Sequence, residues 1–254
     1  MRGSTSKNSV IGLISVFGIL VIWKVLAGVV GADIILPPPE AAAGKLLSLF
    51  STPSFWSAVG YTVIRGIAGF LLSFLFGTII GIAAGMSSFF RALVRPVLQI
   101  IRSTPVMAVI LIAVMWFTSD AVPIFVAFLM SFPIVCQNVI EGIGGVDSRL
   151  LEMASVYRIS SRDVLIHVSI PAIVPYLTAA ATATLGLTWK VVIAAEVLSL
   201  PLHAVGTGMQ FAQINLEAAE VFAWTIVAVL LSFLSERLMN ILVGKLKHRG
   251  GIPS

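Results

Sequence analysis

Long, nearly uninterrupted runs of apolar residues constrain the fold of this chain more than any other feature. Six such runs occupy residues 10–30, 58–86, 104–117, 121–138, 172–200 and 220–246. A helix needs about 20 apolar residues to cross a bilayer, so the run at 104–117 is too short unless it extends back through 94–102. Backbone groups in lipid must bond internally, and these runs are continuous rather than alternating. We therefore predict an all-α polytopic membrane protein with about six transmembrane helices.

The composition also favours a membrane protein over a soluble one. The 254 residues are 58% hydrophobic and 11% charged, whereas a soluble domain carries about 25% charged residues. A net charge of +5 could indicate nucleic-acid binding in a soluble protein. Here the charges flank the apolar runs, so we interpret them as topological signals and predict no nucleic-acid partner.

Lysine and arginine residues are distributed unevenly between the connections, and this asymmetry predicts the orientation. Eleven of the sixteen would lie on one side of the membrane: Arg2, Lys7, Arg91, Arg95, Arg102, Arg149, Arg158, Arg162, Lys245, Lys247 and Arg249. On the other side there would be only Lys45. The positive-inside rule therefore predicts cytoplasmic termini and an even number of spans. The first run is longer than the apolar part of a usual signal peptide, so we expect it to be retained.

Several charged residues fall inside the apolar runs. Lys24 and Arg65 lie near the ends of their runs, so we expect their side chains to reach the membrane interface. Lys190 and Glu196 are six residues apart, which turns them roughly 120° from each other on a helix. They are not an obvious pair, and each needs a partner on another helix, in water or in a solute.

Glycines recur at every fourth position of the second run, as Gly77, Gly81 and Gly85. This spacing leaves a flat strip on a helix where another backbone can approach closely. We favour packing within the chain over a subunit interface as the role of this strip.

The connection at residues 139–169 is too polar to span a membrane but has an ordered pattern. Residues 150–157 read as a short helix, and Ser160 can cap a second helix whose N-terminus Asp163 complements. Pro171 would close that second helix. The sequence thus predicts a compact two-helix element on the membrane surface.

This connection resembles the signature loop of bacterial ATP-binding-cassette (ABC) importer permeases. That signature is Glu-Ala-Ala, three residues, Gly, nine residues and Ile-x-Leu-Pro; here it becomes Glu-Met-Ala at 152–154, Arg158, and Val-Ser-Ile-Pro at 168–171. Arg-Ser-Thr-Pro at 102–105, Gly-Leu-Thr-Trp at 186–189 and Val-Gly-Thr-Gly at 205–208 are similar to the nitrate/sulfonate/taurine branch. Arg158 departs from the signature glycine, so either the turn is built differently or Ser160 and Ser161 take over its role.

The resemblance implies a type I ABC importer permease fold with a cytoplasmic coupling helix. The domain would be a single one, 1–254, with an extra N-terminal helix at 1–35, a core at 58–246 and the coupling loop at 139–170. The coupling residues would be Glu152, Met153, Ala154, Ser155, Tyr157, Arg158, Ser160 and Ser161. The implied location is the bacterial cytoplasmic (inner) membrane.

The resemblance also implies several partners and an ATPase on a separate subunit. The partners are a second permease copy, forming a homodimer, cytoplasmic ATPase subunits, an extracytoplasmic substrate-binding protein and membrane lipid. The chain has no G-x-x-x-x-G-K-[ST] motif, so ATP would be bound by the partner subunit. We therefore expect no enzymatic activity and no cofactor in this chain.

The implied function is to form the path for a small solute, such as an oxyanion, a sulfonate or a vitamin-related heterocycle. Thr184, Thr188, Lys190 and Glu196 would line that path, or the two charges could simply reach the outer interface. An alternative hypothesis is a stand-alone secondary transporter that uses Lys190 and Glu196 for ion coupling. An intramembrane enzyme is a third hypothesis, but the sequence offers it no nucleophile–base pair or metal cluster.

Overall fold

The computed structural model describes residues 4–250, without the side chains of residues 4–11, 13, 151, 161 and 245–250. Every regular element in that part of the chain is helical. The helices are α1 Ser4–Val30, α2 Pro39–Phe50, α3 Pro53–Met86, α4 Ser88–Ser103, α5 Val106–Trp116, α6 Ala121–Gly144, α7 Ser148–Val156, α8 Ser161–Val164, α9 Ile170–Ser199, α10 Val205–Ile214 and α11 Ala218–Gly250. A π-helical turn, Leu165–Ser169, joins α8 to α9. The prediction of an all-α fold is confirmed.

Four described helical stretches are long and apolar enough to cross a membrane: Pro53–Met86, Ala121–Gly144, Arg162–Ser199 and Ala218–Gly244. A fifth span results if α4 and α5 are counted together, although the two helices meet at 98°. The apolar part of α1 with described side chains, Ile14–Val30, is shorter. Each of the six predicted runs overlaps a helix, and the multi-pass architecture is confirmed, although four or five of the described stretches qualify as spans against about six predicted.

The third run is not extended as a straight helix, because the chain bends sharply at Pro105. Thr104 ends α4 with extended backbone angles, φ −76° and ψ 128°, as expected for a residue before proline. Pro105 has no N–H to continue the helical hydrogen bonds. Residues 94–102 therefore belong to a separate, arginine-bearing helix that does not lengthen α5.

The glycine strip on α3 packs against α6, and packing within the chain is confirmed. A Cβ atom at Gly77 would lie 2.7 Å from the Val135 Cβ, and one at Gly81 would lie 2.7 Å from the Val139 Cβ. No real side chain tolerates such distances, so the two helices approach this closely only because α3 carries glycine there. α6 in turn packs against α9 and α5, which places it at the centre of the bundle.

The two ends of the bundle differ in what surrounds them. At the α7 end, Gly85 of α3 packs against Ile143 of α6, just before α7 begins. At the α10 end, Phe55 of α3 packs with Val205 of α10 and Trp224 of α11 in one buried cluster. The α7 end and the α10 end are thus the two opposite ends of the bundle.

The helix α1 lies at the periphery. Its Trp23 stacks on Phe222 of α11 with ring centroids 5.3 Å apart and donates a 2.9 Å hydrogen bond to the Pro37 carbonyl. Lys24 forms an exposed 2.9 Å salt bridge with Glu40 of α2. The Lys24 ammonium is therefore exposed and paired, and its position at the membrane interface stays a prediction.

Pro171 does not close a separate helix as the sequence analysis predicts. The stretch Arg162–Ser199 is one continuous helix, with Pro171 in the first turn of α9. In a regular helix a proline ring clashes with the carbonyl of the residue four positions earlier, which for Pro171 is residue 167. Residue 167 lies in the wider π-helical turn Leu165–Ser169. This turn makes room for the ring, so the helix continues past the proline.

Candidate functional site

The helix α7 projects an exposed surface from its end of the bundle. The Asp147 side chain caps it by accepting a 2.9 Å hydrogen bond from the Arg149 amide. Ala154 is buried, whereas Val156 and Tyr157 are 79% and 74% exposed. Glu152, Met153 and Ser155 are exposed too, so they can contact a partner, while Ala154 can only support the helix.

Arg158 occupies the left-handed turn that the signature glycine would occupy, with φ +53°. The Ile159 amide bonds to the Ala154 carbonyl at 2.9 Å, and the Arg158 amide bonds to the Ser155 carbonyl at 3.0 Å. This pair of bonds is a Schellman motif, which normally carries glycine at this position. The turn is therefore kept with an arginine in it and is not built differently.

The start of the next helix has the predicted cap. The Ser160 hydroxyl accepts a 3.2 Å hydrogen bond from the Asp163 amide and donates a 2.6 Å bond to the Asp163 carboxylate. These bonds define the turn between α7 and α8 and leave Ser160 exposed. The side chain of Ser161, which the sequence analysis also assigns to the coupling surface, lies outside the described part of the chain.

Two of the four predicted path residues lie inside the protomer. Thr184 and Thr188 are fully buried. The Thr188 hydroxyl bonds to the Thr184 carbonyl at 2.8 Å and lies 3.3 Å from the Ser131 hydroxyl of α6. Both threonine hydroxyls donate to backbone carbonyls of α9. The burial of the two side chains disagrees with the prediction that they face an open path.

Lys190 lies on a different face of α9. It is exposed and lines a groove of about 360 Å³ between α9 and α11, together with Trp189, Thr225, Ser232 and Glu236. Glu236 reaches across this groove to lie against the α9 backbone at Gly186. One cationic and one anionic group thus face an otherwise largely apolar groove.

Glu196 is bound in a buried charge cluster at the α10 end. Its carboxylate accepts a 2.9 Å bond from the Arg65 guanidinium, 2.9 Å bonds from the Thr62 hydroxyl and a 3.2 Å bond from the Gly206 amide. Arg65 is 3% exposed and Glu196 is 0% exposed. The prediction that Arg65 reaches the interface is wrong, because Glu196 provides its counter-charge inside the protein.

The same arginine connects further elements to this charge cluster. Arg65 donates to the Asp120 carboxylate at the start of α6 and, at 2.9 Å, to the His203 carbonyl. The Thr62 hydroxyl accepts a 3.0 Å bond from the Val205 amide. Because α3, α6, α9 and the start of α10 all contribute, the cluster is an interhelical anchor.

Gly206, from the Val-Gly-Thr-Gly stretch, allows α10 to reach this anchor. A Cβ atom there would lie 2.5 Å from the Glu196 Cβ and 2.6 Å from the Ile193 carbonyl oxygen. Only glycine lets the two backbones come this close. The stretch is thus explained by the packing of α10 on α9.

The structure separates Lys190 from Glu196 and shows partners that the sequence analysis missed. Glu196 bonds to residues of α3 and α10, while Lys190 faces α11. A shared ion-coupling site of the two, as the secondary-transporter hypothesis requires, is absent from the described residues. The sequence does contain a signal for the pairing of Arg65 with Glu196. The two residues carry opposite charges in two separate apolar runs, where each charge requires a partner.

Comparison with known proteins assigns the architecture. A family model described as a binding-protein-dependent transport system inner membrane component matches residues 73–248. The chain belongs to this family of ABC transporter permeases. The match includes the coupling segment, α9 with its anchor residue Glu196, and α10.

Two curated relatives show the branch of the family. TauC, the taurine transport system permease protein of Escherichia coli, is 26% identical over 242 residues, covering 92% of this chain and 88% of TauC. NrtB, the nitrate import permease protein of Synechococcus elongatus, is 29% identical over 189 residues, covering 70% of this chain and 68% of NrtB. This permease is therefore similar to members of the nitrate/sulfonate/taurine branch, as the sequence analysis predicts.

A solved structure supports the fold. The crystal structure of a bacterial ABC transporter involved in the import of the acidic polysaccharide alginate aligns with a TM-score of 0.69 and 13% identity. The alignment covers 97% of this chain and 99% of that one. At this level of identity the likeness concerns the fold alone, and it confirms the predicted permease architecture.

Proposed function

We propose that this permease is the membrane subunit of an ATP-driven importer that couples to a separate cytoplasmic ATPase through α7. The observation that carries this proposal is the exposed apolar surface at the tip of a capped helix. Leu150, Met153, Val156 and Tyr157 are each 45% exposed or more on this short element. Exposed apolar side chains clustered in this way favour a protein partner.

The architecture around α7 suits a mechanical connection. Asp147 caps the start of α7, and the Schellman motif fixes its end. A rigid element of this kind transmits movement of a bound partner to the membrane helices. Two copies of the permease, each with its own α7, would be moved together when the ATPase subunits close.

A charge reversal at Glu152 tests the coupling assignment. Glu152 is exposed and has no hydrogen bond or salt bridge among the described residues, so Glu152→Lys should leave the permease folded while weakening the ATPase contact. Co-purification of the ATPase and ATP-dependent uptake should both fall. Asp33→Lys, an exposed reversal in the connection between α1 and α2, is the matched control and should leave both unchanged. Full uptake with the ATPase still bound to Glu152→Lys would refute the assignment.

We propose a small polar solute delivered by an extracytoplasmic binding protein, with an oxyanion or sulfonate favoured over a vitamin-related heterocycle. The names of TauC and NrtB refer to taurine and nitrate, and Lys190 supplies a positive charge in the groove between α9 and α11. Uptake of labelled taurine and nitrate into proteoliposomes containing the complete transporter tests this assignment. Uptake of neither solute, together with uptake of a neutral heterocycle, would refute it.

We further propose that Lys190 faces the path, while Glu196 holds the helices together. Lys190→Gln should lower uptake but leave the yield of folded permease unchanged. Glu196→Gln should lower thermal stability, because it weakens the interaction with the buried Arg65. If Lys190→Gln transports normally, Lys190 has only an interfacial role.

The proposed orientation has both termini in the cytoplasm. It is supported by the Lys and Arg distribution, and it puts α10 outside and α7 inside. Leu216→Cys, at a position 67% exposed beside α10, should react with an impermeant thiol reagent on intact cells. Val156→Cys should react only after the cells are permeabilised, and the reverse pattern would refute the orientation.

A further inference from the structure

The helix α4 has two opposed faces that the transport function does not explain. Arg91, Arg95, Gln99 and Arg102 follow one another at intervals of three or four residues and line a cavity of about 670 Å³. A second stripe, displaced by two residues, consists of Phe89, Leu93, Val97 and Ile100, which are between 50% and 72% exposed. A displacement of two residues turns a side chain about 200° around a helix. Basic and apolar stripes therefore lie on opposite faces.

The cavity lies between α4 and the end of α6 and is strongly cationic. Its lining includes three arginines and one carboxylate, Glu141, which gives a formal charge of +2. Gln137 donates a 2.9 Å hydrogen bond to Glu141, which leaves this carboxylate engaged within α6. The volume falls in the range of about 300–1,000 Å³ usual for ligand sites.

Two of the three arginines are available for a ligand. Arg91 donates to the Ala84 and Gly85 carbonyls at 3.1 and 2.9 Å, so it caps the end of α3. Among the described residues, neither Arg95 nor Arg102 has a hydrogen bond or a salt bridge. Guanidinium groups bind phosphate oxygens through paired N–H donors, and the cavity presents two such groups that form no salt bridge among the described residues.

We propose that this cavity binds the phosphate headgroup of an anionic phospholipid. The apolar stripe on the opposite face favours a lipid over a soluble anion, because it suits a helix lying at the boundary of the membrane. With 16 residues α4 is about 24 Å long, too short to span, and it turns by 98° into α5. Leu98, buried against Phe132 of α6, fixes the helix to the bundle.

The position of the cavity gives the lipid a consequence for coupling. Gly144 and Gly145, which line it, lie three and two residues before Asp147, the cap of α7. A headgroup bound between α4 and these glycines would hold the base of α7 in place. The lipid would thus stabilise the element that we propose to contact the ATPase.

Native mass spectrometry of the full-length permease, with added phosphatidylglycerol or phosphatidylcholine, measures the binding. The wild type should retain phosphatidylglycerol in preference to phosphatidylcholine. Arg95→Gln with Arg102→Gln should weaken phosphatidylglycerol binding about thirtyfold, since each basic group near a lipid surface contributes about a factor of five. Arg162→Gln removes a charge at the same end of the bundle but outside the cavity, and should bind like the wild type.

Two further variants separate lost binding from damaged structure. Arg95→Lys with Arg102→Lys keeps the charge and should bind within a few-fold of the wild type. Glu141→Gln removes the opposing carboxylate and should bind phosphatidylglycerol more tightly, which a damaged fold would not produce. Equal retention of phosphatidylglycerol by all variants would overturn the proposal. Binding of soluble phosphate or taurine in the cavity in place of the lipid would overturn it too.

Discussion

Replacing Arg158 by glycine should stabilise the coupling element, although the change removes a side chain. The left-handed conformation costs a residue with a Cβ about 1–2 kcal/mol, and Arg158 adopts it with φ +53°. Glycine avoids this cost but loses about 0.5–1 kcal/mol more backbone entropy on folding. The Arg158 side chain is exposed and has no partner among the described residues, so nothing else is lost. The net gain should be about 0.5–1 kcal/mol.

Hydrogen exchange of the full-length permease in lipid nanodiscs measures this gain locally. The Arg158 and Ile159 amides close the Schellman motif, so their exchange reports its opening. A gain of this size should slow their exchange about two- to fivefold in the glycine variant. Ser155→Gly, in the last turn of α7, should speed exchange instead, because glycine has a lower helix propensity than serine. Unchanged or faster exchange in Arg158→Gly would refute the assignment of strain to this turn.

Three other predictions concern the membrane helices and the α10 end. Gly81→Ala should destabilise the permease by about 1–3 kcal/mol in thermal unfolding through overpacking against Val139, whereas Gly60→Ala, with open space around it, should be neutral or stabilising by up to about 1 kcal/mol because alanine favours a helix over glycine. Arg65→Met should cost about 3–5 kcal/mol in denaturant unfolding by leaving Glu196 unpaired, and adding Glu196→Gln should recover part of that loss. Hydrogen bonds to Glu217 and Glu220 raise the pKa of Lys45. The contribution of Lys45 to stability is therefore fully present below the ordinary lysine pKa, and it is lost as the pH rises through the raised pKa of Lys45. Lys45→Met should remove this alkaline loss from the pH profile of the melting temperature.

The helices could be predicted from sequence because a single rule, the length of an apolar run, decides them. The same rule left residues 94–105 undecided, because composition cannot tell a lengthened span from an amphipathic helix that ends before Pro105. The expected helix end at Pro171 was wrong, because a π-helical turn accommodates the ring and the helix continues. Proline restricts the chain locally, but neighbouring turns decide whether a helix ends there.

The roles of charged residues were harder to predict, because they depend on which helices come together. Periodicity places Lys190 and Glu196 on different faces of α9, yet it cannot say that Glu196 meets Arg65, 131 residues away. The buried pair forms because two unpaired charges would be far more costly in the bundle than one bonded pair. At Arg158 both expectations, a differently built turn or a takeover of the role by Ser160 and Ser161, were wrong, because the arginine itself adopts the left-handed conformation.

Site-specific cross-linking at α7 tests most directly whether this permease is driven through that helix. Cys136 is the only cysteine and is buried, so a cysteine introduced at position 156 would dominate the reaction. In native membranes Val156→Cys should cross-link to a polypeptide that carries a nucleotide-binding G-x-x-x-x-G-K-[ST] motif, with a yield that changes when ATP is added. Leu202→Cys, 84% exposed at the α10 end, should not cross-link to that polypeptide. Cross-linking of the ATPase to position 202 and not to position 156 would contradict the proposed coupling.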